Sequence, residues 1–181
     1  MDQRFGAKVR VFTNVAAFVL TVGMIAYAPS LGFAMGRVPT EAMPGALTGK
    51  AAYDATLPTA LSGPSSLSQA RGGKKTVLFF WATWCPHCHE EIGHMVNDLN
   101  AITAKGINII LVSVGETKED VTAYLRRNHV PLNSFVDEEG VLQEPYGLFG
   151  VPMLFFVDEQ GIIRGQRNEF PKDYDKLFSA P

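Results

Sequence analysis

The amino-acid sequence predicts an α/β fold, a three-layer sandwich with helices on both faces of a mixed central sheet. Residues 76–81 and 108–114 are continuous apolar, β-prone segments typical of buried strands. Two further strand patterns, residues 153–157 and 162–166, are separated by a four-residue loop typical of an antiparallel hairpin. Because strand–helix–strand crossovers are right-handed, the first two strands should lie parallel in one sheet.

Three helices are expected between and after these strands. The first begins at Pro86, where a missing backbone N–H costs no hydrogen bond, and Gly106 ends it. Apolar residues recur on one helical face between these two positions, as in a helix that packs on a sheet. The second helix covers residues 117–128, and residues 172–178 can form a closing helix. The side chains expected to face inward from the second helix are Val121, Tyr124 and Leu125.

Composition and charge limit the class of protein. The chain has 181 residues, of which 46% are apolar and 19% charged, so it can bury a core and is not a disordered polyelectrolyte. The 16 Lys and Arg against 18 Asp and Glu give a net charge of −2, which argues against nucleic acid as a partner. The two cysteines, Cys85 and Cys88, are too close together to staple a small fold, so they remain available for chemistry.

Residues 1–36 have the pattern of a signal peptide or an N-terminal membrane anchor. Basic residues precede residues 11–36, which carry no charge. Cleavage after Ala34 fits a signal peptide, whereas the 26 uncharged residues are also long enough to cross a bilayer core of ~30 Å as a helix. Both alternatives place the rest of the chain outside the cytoplasm.

Residues 37–56 are predicted to be a linker, and residues 57–181 a folded domain. Between residues 37 and 73, 13 of 37 residues are Pro, Gly or Ser, a composition typical of a tether or a loosely ordered lead-in. The strong strand and helix patterns begin only after this segment.

The cysteine pair is predicted to lie at the carboxyl end of the first strand, where open α/β sheets place their working residues. Cys85 lies at the start of the first helix, where free N–H groups and the helix dipole lower a thiol pKa from ~8.5 into the range ~3.5–7.5. Cys88 is four residues before Ile92 on the apolar face, so it should be less accessible. This asymmetry favours a dithiol that cycles with a disulfide, with an outer attacking thiol and an inner resolving thiol.

Two other interpretations of the cysteines are open. The residues from Cys85 to His89 match C-x-x-C-H, the haem attachment pattern, but c-type cytochromes are helical and here the motif follows a buried strand. His87, His89 or His94 could complete a zinc site, but a closed site needs four ligands, usually from a second pair far along the chain. We therefore expect neither a cofactor nor a metal.

The residues around the cysteines resemble the thioredoxin superfamily, and within it the TlpA/ResA-type thiol-disulfide oxidoreductases of the bacterial cell envelope. The resemblance is carried by Trp-Ala-Thr-Trp-Cys-Pro-His-Cys at residues 81–88 and by Val151-Pro152 before a strand. It implies a thioredoxin fold in which Cys85 is the nucleophile and Cys88 the resolving thiol. It also implies a cis Pro152 against the disulfide, with the Val151 backbone open to an extended substrate. The family's insertion corresponds to residues 129–150.

The chain departs from the family pattern at two positions. Phe79 stands where thioredoxin has a buried Asp, and Gly93 stands where the long helix usually has a proline. Glu91 lies where ResA-like proteins carry a Glu, one helical turn after Cys88, and is expected to take the proton from that thiol. The alternative is an acid that only complements the helix dipole.

Five further residues are expected to shape the site: Trp84, Pro86, His87, Val151 and Pro152. Trp84 adjoins Cys85 and is expected at the apolar rim. His87 lies between the cysteines, where it can stabilise the Cys85 thiolate and make the disulfide a stronger oxidant. The other histidines, His89, His94 and His129, are expected to be solvated helix residues.

The resemblance implies an enzyme that exchanges disulfides with other proteins in the bacterial periplasm or at the outer face of the cytoplasmic membrane. Family analogy favours a reductant that serves cytochrome c maturation with electrons from a membrane partner, while Cys-Pro-His-Cys is also the sequence of the oxidant DsbA. A third interpretation is a binding module whose cysteines only stabilise the start of the helix.

Overall fold

The computed structural model describes residues 47–179. The predicted signal peptide or anchor lies outside the described residues, as does the first half of the predicted linker. No helix within residues 47–179 is both long and apolar enough to cross a membrane.

The centre of the fold is a five-stranded mixed sheet with strand order β5-β4-β3-β6-β7. β3 pairs in parallel with β4, as does β4 with β5, whereas β6 and β7 are antiparallel. The strands are β3 (Lys75–Trp81), β4 (Ile107–Val114), β5 (Ser134–Asp137), β6 (Met153–Val157) and β7 (Ile163–Arg167). Four of the five strands agree with the prediction. β5 lies in residues 129–150, where the sequence analysis placed no strand.

Apolar side chains on both faces of β3 form the two halves of the core. Phe79 and Trp81 face the layer that contains α2, and both are fully buried. Leu78 and Phe80 face the opposite layer, where Phe80 packs against Tyr146 with ring centroids 4.9 Å apart. Because both faces are covered, every residue of β3 after Lys75 is buried, as a central strand requires.

The first predicted helix is two helices, α2 (Pro86–Asn97) and α3 (Leu99–Ala104). The prediction of one continuous helix to Gly106 is therefore wrong. Asp98 separates the two with φ −95° and ψ 6°, so it does not extend α2. Asn and Asp are weak helix formers, because their side chains compete for nearby backbone groups. Gly106 does end this region, with a φ of +73° that favours glycine.

The remaining helices agree with the prediction in position but not entirely in type. α4 (Lys118–Arg127) begins after Thr117, whose side chain accepts the Asp120 N–H, and its inward residues are buried as expected. The closing helix is a short 3₁₀ helix, Tyr174–Ser179, rather than an α-helix.

The segment before β3 contains a small two-stranded sheet and a short helix, namely β1 (Thr56–Leu57), β2 (Ser65–Ser66) and α1 (Leu67–Arg71). Within the predicted linker, residues 49–52 run beside β7. The Gly49 N–H donates to the Ile163 carbonyl at 2.8 Å, and the Ala52 N–H donates to the Gly161 carbonyl at 2.8 Å. The end of the lead-in is thus hydrogen-bonded to the edge of the domain.

Candidate active site

The two cysteines lie where β3 ends and α2 begins. Cys85 is the N-cap of α2, with extended backbone (φ −96°, ψ 104°), and its Sγ accepts the Cys88 N–H at 3.2 Å. Pro86 occupies the first turn, as predicted. A sulfur at this position meets the positive end of the helix dipole, so the geometry favours a thiolate at Cys85 once the protein is reduced.

Cys85 and Cys88 form a disulfide, with their Cα atoms 5.3 Å apart. Cys85 is 4% exposed and Cys88 is 0% exposed, so Cys85 is the more accessible of the two sulfurs, by a smaller difference than expected. The Val151 carbonyl oxygen lies 3.7 Å from Cys85 Sγ. The Val151 backbone therefore borders the outer cysteine.

The Val151–Pro152 peptide bond is cis. Beside it lies an open groove of about 290 Å³, lined by Trp84, Val114, Gly115, Gln143, Leu148, Phe149, Gly150 and Val151. Trp84 is 69% exposed and Phe149 is 75% exposed, which leaves two large apolar side chains at the rim of the groove. The exposure of Trp84 is that expected of a rim residue, and its part in shaping the site stays a prediction. Phe149 was not predicted, because nothing in the sequence separates it from a core aromatic residue.

His87 contacts a neighbouring acid at the surface of α2. Its side chain is 83% exposed, and its Nδ1 lies 3.5 Å from Glu90 Oε2. In this position the imidazole faces solvent and Glu90. Stabilisation of the Cys85 thiolate by His87 stays a prediction.

Glu91 joins α2 to the C-terminal segment. Its side chain is 12% exposed, its Oε2 accepts the Phe170 N–H at 2.7 Å, and its Oε1 lies 3.9 Å from His94 Nδ1. Phe79, at the position where thioredoxin has a buried Asp, is fully buried. Glu91 is therefore a partly buried acid one turn beyond Cys88, and its role as proton acceptor stays a prediction.

The structure corrects the interpretation of His89 as a solvated helix residue. His89 is half-buried, its Nε2 lies 2.8 Å from the Thr83 carbonyl oxygen, and its ring packs against Tyr124 with centroids 4.8 Å apart. Burial raises the pKa of the Tyr124 phenol, so the Tyr124 side chain stays neutral at pH 7. The N–H and the hydroxyl of Thr83 both donate to the carboxylate of Glu116, a residue that the sequence analysis did not predict.

Within residues 47–179, no three His, Cys, Asp or Glu side chains lie close enough together to hold a metal ion.

Comparison with known proteins decides the family. The profile of the AhpC/TSA family matches residues 48–166. The chain belongs to the AhpC/TSA family. Among its solved neighbours is the thioredoxin domain of a thiol-disulfide oxidoreductase from Bacteroides vulgatus, with a TM-score of 0.62 and 25% identity, covering 73% of this chain and 93% of that one. The predicted thioredoxin fold is thereby confirmed.

Curated relatives of this AhpC/TSA family member carry the names of thiol-disulfide oxidoreductases. ResA of Bacillus subtilis (strain 168) is 30% identical over 80 residues, or 44% of this chain and 45% of that protein. Sporulation thiol-disulfide oxidoreductase A of the same strain is 23% identical over 138 residues, or 75% of this chain and 76% of that protein. The match to ResA thus spans less than half the length of that relative.

Proposed function

We propose that this protein is a thiol-disulfide oxidoreductase that exchanges its Cys85–Cys88 pair with protein substrates. The observation that carries the proposal is the disulfide at the N-terminus of α2, with Cys85 as the N-cap and Cys88 fully buried behind it. The names of the relatives support the same chemistry. A binding module would not need one sulfur at the helix start and a second in the core.

In the reducing direction, the Cys85 thiolate attacks a disulfide sulfur of the substrate. A mixed disulfide forms, and one substrate sulfur leaves as a thiolate and takes up a proton. Cys88 then loses its proton and attacks Cys85 Sγ, which releases the second substrate sulfur as a thiolate that takes up a proton. The protein ends as the Cys85–Cys88 disulfide, and the substrate has gained two electrons and two protons.

The substrate is an extended polypeptide that lies along the Val151 backbone. The Val151 carbonyl is beside Cys85 Sγ, and a strand-like segment can pair with such an edge. Trp84 and Phe149 add exposed apolar surface next to it, which suits the side chains that flank the substrate cysteine.

The preferred direction is reduction. His87, the residue that would favour an oxidant, is 83% exposed and beside Glu90, which weakens its effect on Cys85. Equilibration of the pair against glutathione tests the direction. We expect a reduction potential below ~−250 mV, near that of thioredoxin, whereas a value near ~−120 mV would identify a DsbA-like oxidant.

Glu91 is proposed as the acceptor of the Cys88 proton during resolution. It is one turn beyond Cys88 and its side chain is only 12% exposed, so it is an acid placed where access to solvent is limited. Glu91→Gln should slow resolution of the mixed disulfide at least ~10-fold, since a positioned base contributes ~10²–10⁴-fold. Rapid-quench measurement of the mixed disulfide gives this rate.

The Glu91→Gln variant separates chemistry from packing, because a glutamine oxygen can still accept the Phe170 N–H. Glu90→Gln is the matched control, since Glu90 is 70% exposed on the same helical turn. A resolution rate equal to that of the control would leave Glu91 with a purely structural role.

We also place the protein outside the cytoplasm, in the bacterial periplasm or at the outer face of the membrane, on the pattern of residues 1–36. Family analogy adds a membrane electron donor and a role in cytochrome c maturation. Fractionation of cells that express the full chain tests the location, and recovery in the cytoplasm would contradict it.

A further inference from the structure

Thr83 connects the turn that carries the nucleophile to residues outside the turn. Residues 82–85 link β3 to α2, and the Cys85 N–H donates to the Ala82 carbonyl at 3.2 Å. The Thr83 N–H donates to Glu116 Oε2 at 2.7 Å, and the Thr83 hydroxyl donates to Glu116 Oε1. The Thr83 carbonyl accepts from His89 Nε2 at 2.8 Å. All three polar groups of Thr83 are therefore bound by residues beyond the turn.

Glu116 reaches Thr83 from the end of the neighbouring parallel strand. β4 ends at Val114, and Gly115 follows with a φ of +71°, a backbone conformation that favours glycine. The Gly115 N–H donates to the Asp137 carbonyl at 2.9 Å, so the base of this loop is itself anchored to β5. Glu116 thus projects from a fixed point on the sheet rather than from a free loop.

His89 secures the other side of the turn. A carbonyl oxygen only accepts, so His89 Nε2 carries the proton in this contact. The His89 ring packs against Tyr124, which in turn packs on Trp81 with centroids 5.1 Å apart. Thr83 is therefore held on two sides. Glu116 connects it to the end of β4, and His89 connects it to the core.

We propose that Glu116 is a positioning residue for thiol–disulfide exchange, which it supports by fixing Thr83 and thereby the place of Cys85 at the helix start. The inference rests on the proposed function and names a residue that the mechanism above does not use. In the oxidised protein the disulfide also holds Cys85. After reduction that link is gone, and the hold on Thr83 keeps Cys85 Sγ within reach of the Cys88 N–H that stabilises the thiolate.

Loss of the Glu116 side chain should therefore act on the reduced form. In Glu116→Ala we expect the pKa of Cys85 to rise by about one unit, so that at a pH below the wild-type pKa its alkylation and its kcat/KM for insulin reduction both fall about 10-fold. Glu116→Gln should recover to within about twofold of wild type. The amide oxygen can accept the Thr83 N–H, and the amide NH₂ can donate to the hydroxyl, which is able to accept.

Thr122→Val is the matched control for a general loss of stability. Thr122 lies on the helix that follows Glu116, and its hydroxyl donates to the Ala60 carbonyl at 2.9 Å. Valine preserves the shape of the threonine side chain and removes only the hydroxyl. This variant should leave the Cys85 pKa unchanged. If Glu116→Ala does not fold, Thr83→Val removes only the hydroxyl contact and should slow alkylation about threefold.

Two results would overturn the inference. One is that Glu116→Ala has the same Cys85 pKa and alkylation rate as Thr122→Val. If Glu116→Ala does not fold, Thr83→Val takes its place in this comparison. The other is a Glu116→Gln variant as slow as Glu116→Ala. Failure of the proposed function would look different: the wild type itself would not reduce insulin, while the alkylation measurements would still report on Glu116.

Discussion

Cys85→Ser is expected to abolish insulin reduction, with turnover lowered by at least ~10³-fold, the scale seen when a covalent nucleophile is removed. A serine hydroxyl does not ionise near neutral pH and does not exchange with disulfides. The measurement is the rate of insulin reduction, followed as the appearance of free thiols, with wild type and variant at equal concentration.

The substitution should leave the fold intact, so the loss reports on chemistry. Cys85 is the N-cap of α2 and its Sγ accepts the Cys88 N–H. Serine is among the preferred N-cap residues, and its hydroxyl oxygen can accept the same N–H. Circular dichroism and the melting temperature of Cys85→Ser should therefore stay close to those of the reduced wild type.

Cys88→Ser is the matched control, because it removes the buried sulfur and keeps the nucleophile. It should complete the first step and accumulate a mixed disulfide with the substrate, which mass spectrometry can identify at Cys85. Wild-type turnover in Cys85→Ser would contradict the exchange mechanism and favour a module that only binds.

Local patterns were sufficient to predict the elements that build the site. β3 is a continuous apolar segment, and Pro86 marks the start of α2 because only the first turn tolerates its missing N–H. The hairpin of β6 and β7 followed from two β-prone segments and a short loop. Together these place the cysteines at the carboxyl end of a central strand, from sequence alone.

The errors lie where neighbours in space, rather than in sequence, decide the outcome. β5 has only four residues, and its position follows from pairing with β4, which no local pattern records. The break at Asp98 depends on a balance between the apolar stripe and weak helix propensity. Such short or balanced segments are set by tertiary packing.

The same distinction applies within the site. Cys85 and Cys88 are adjacent in sequence and carry recognisable chemistry, so they could be predicted. Glu116 follows Cys85 by about 30 residues and reaches the turn only because β3 and β4 are parallel neighbours. A glutamate at the start of a helix is common, and nothing in its local sequence marks it as a partner of Thr83.

The second large effect concerns the two thiols of the reduced protein. Cys85 should react with iodoacetamide at pH 7 at least ~100-fold faster than Cys88, because only the thiolate reacts and its fraction depends on the pKa. Cys85 Sγ accepts an N–H at the helix start, which stabilises the anion and lowers its pKa. Cys88 is 0% exposed among apolar side chains, where burial disfavours the anion.

The pH dependence has a defined sign. We expect the pKa of Cys85 in the reduced protein to be lowered, so its alkylation rate should remain high as pH falls below ~8.5 and should decrease only through a pKa within ~3.5–7.5. Cys88 should stay slow across the same range and gain rate only above ~8.5. Serine variants that keep one cysteine each allow the two profiles to be recorded separately.

The most direct test is therefore the alkylation rate of each cysteine in the reduced protein between pH 4 and pH 9, resolved by mass spectrometry of the peptides. A fast Cys85 that titrates at acidic to neutral pH, beside a slow Cys88, is the predicted result. Two equally slow thiols at neutral pH, with no titration below ~8, would contradict the mechanism.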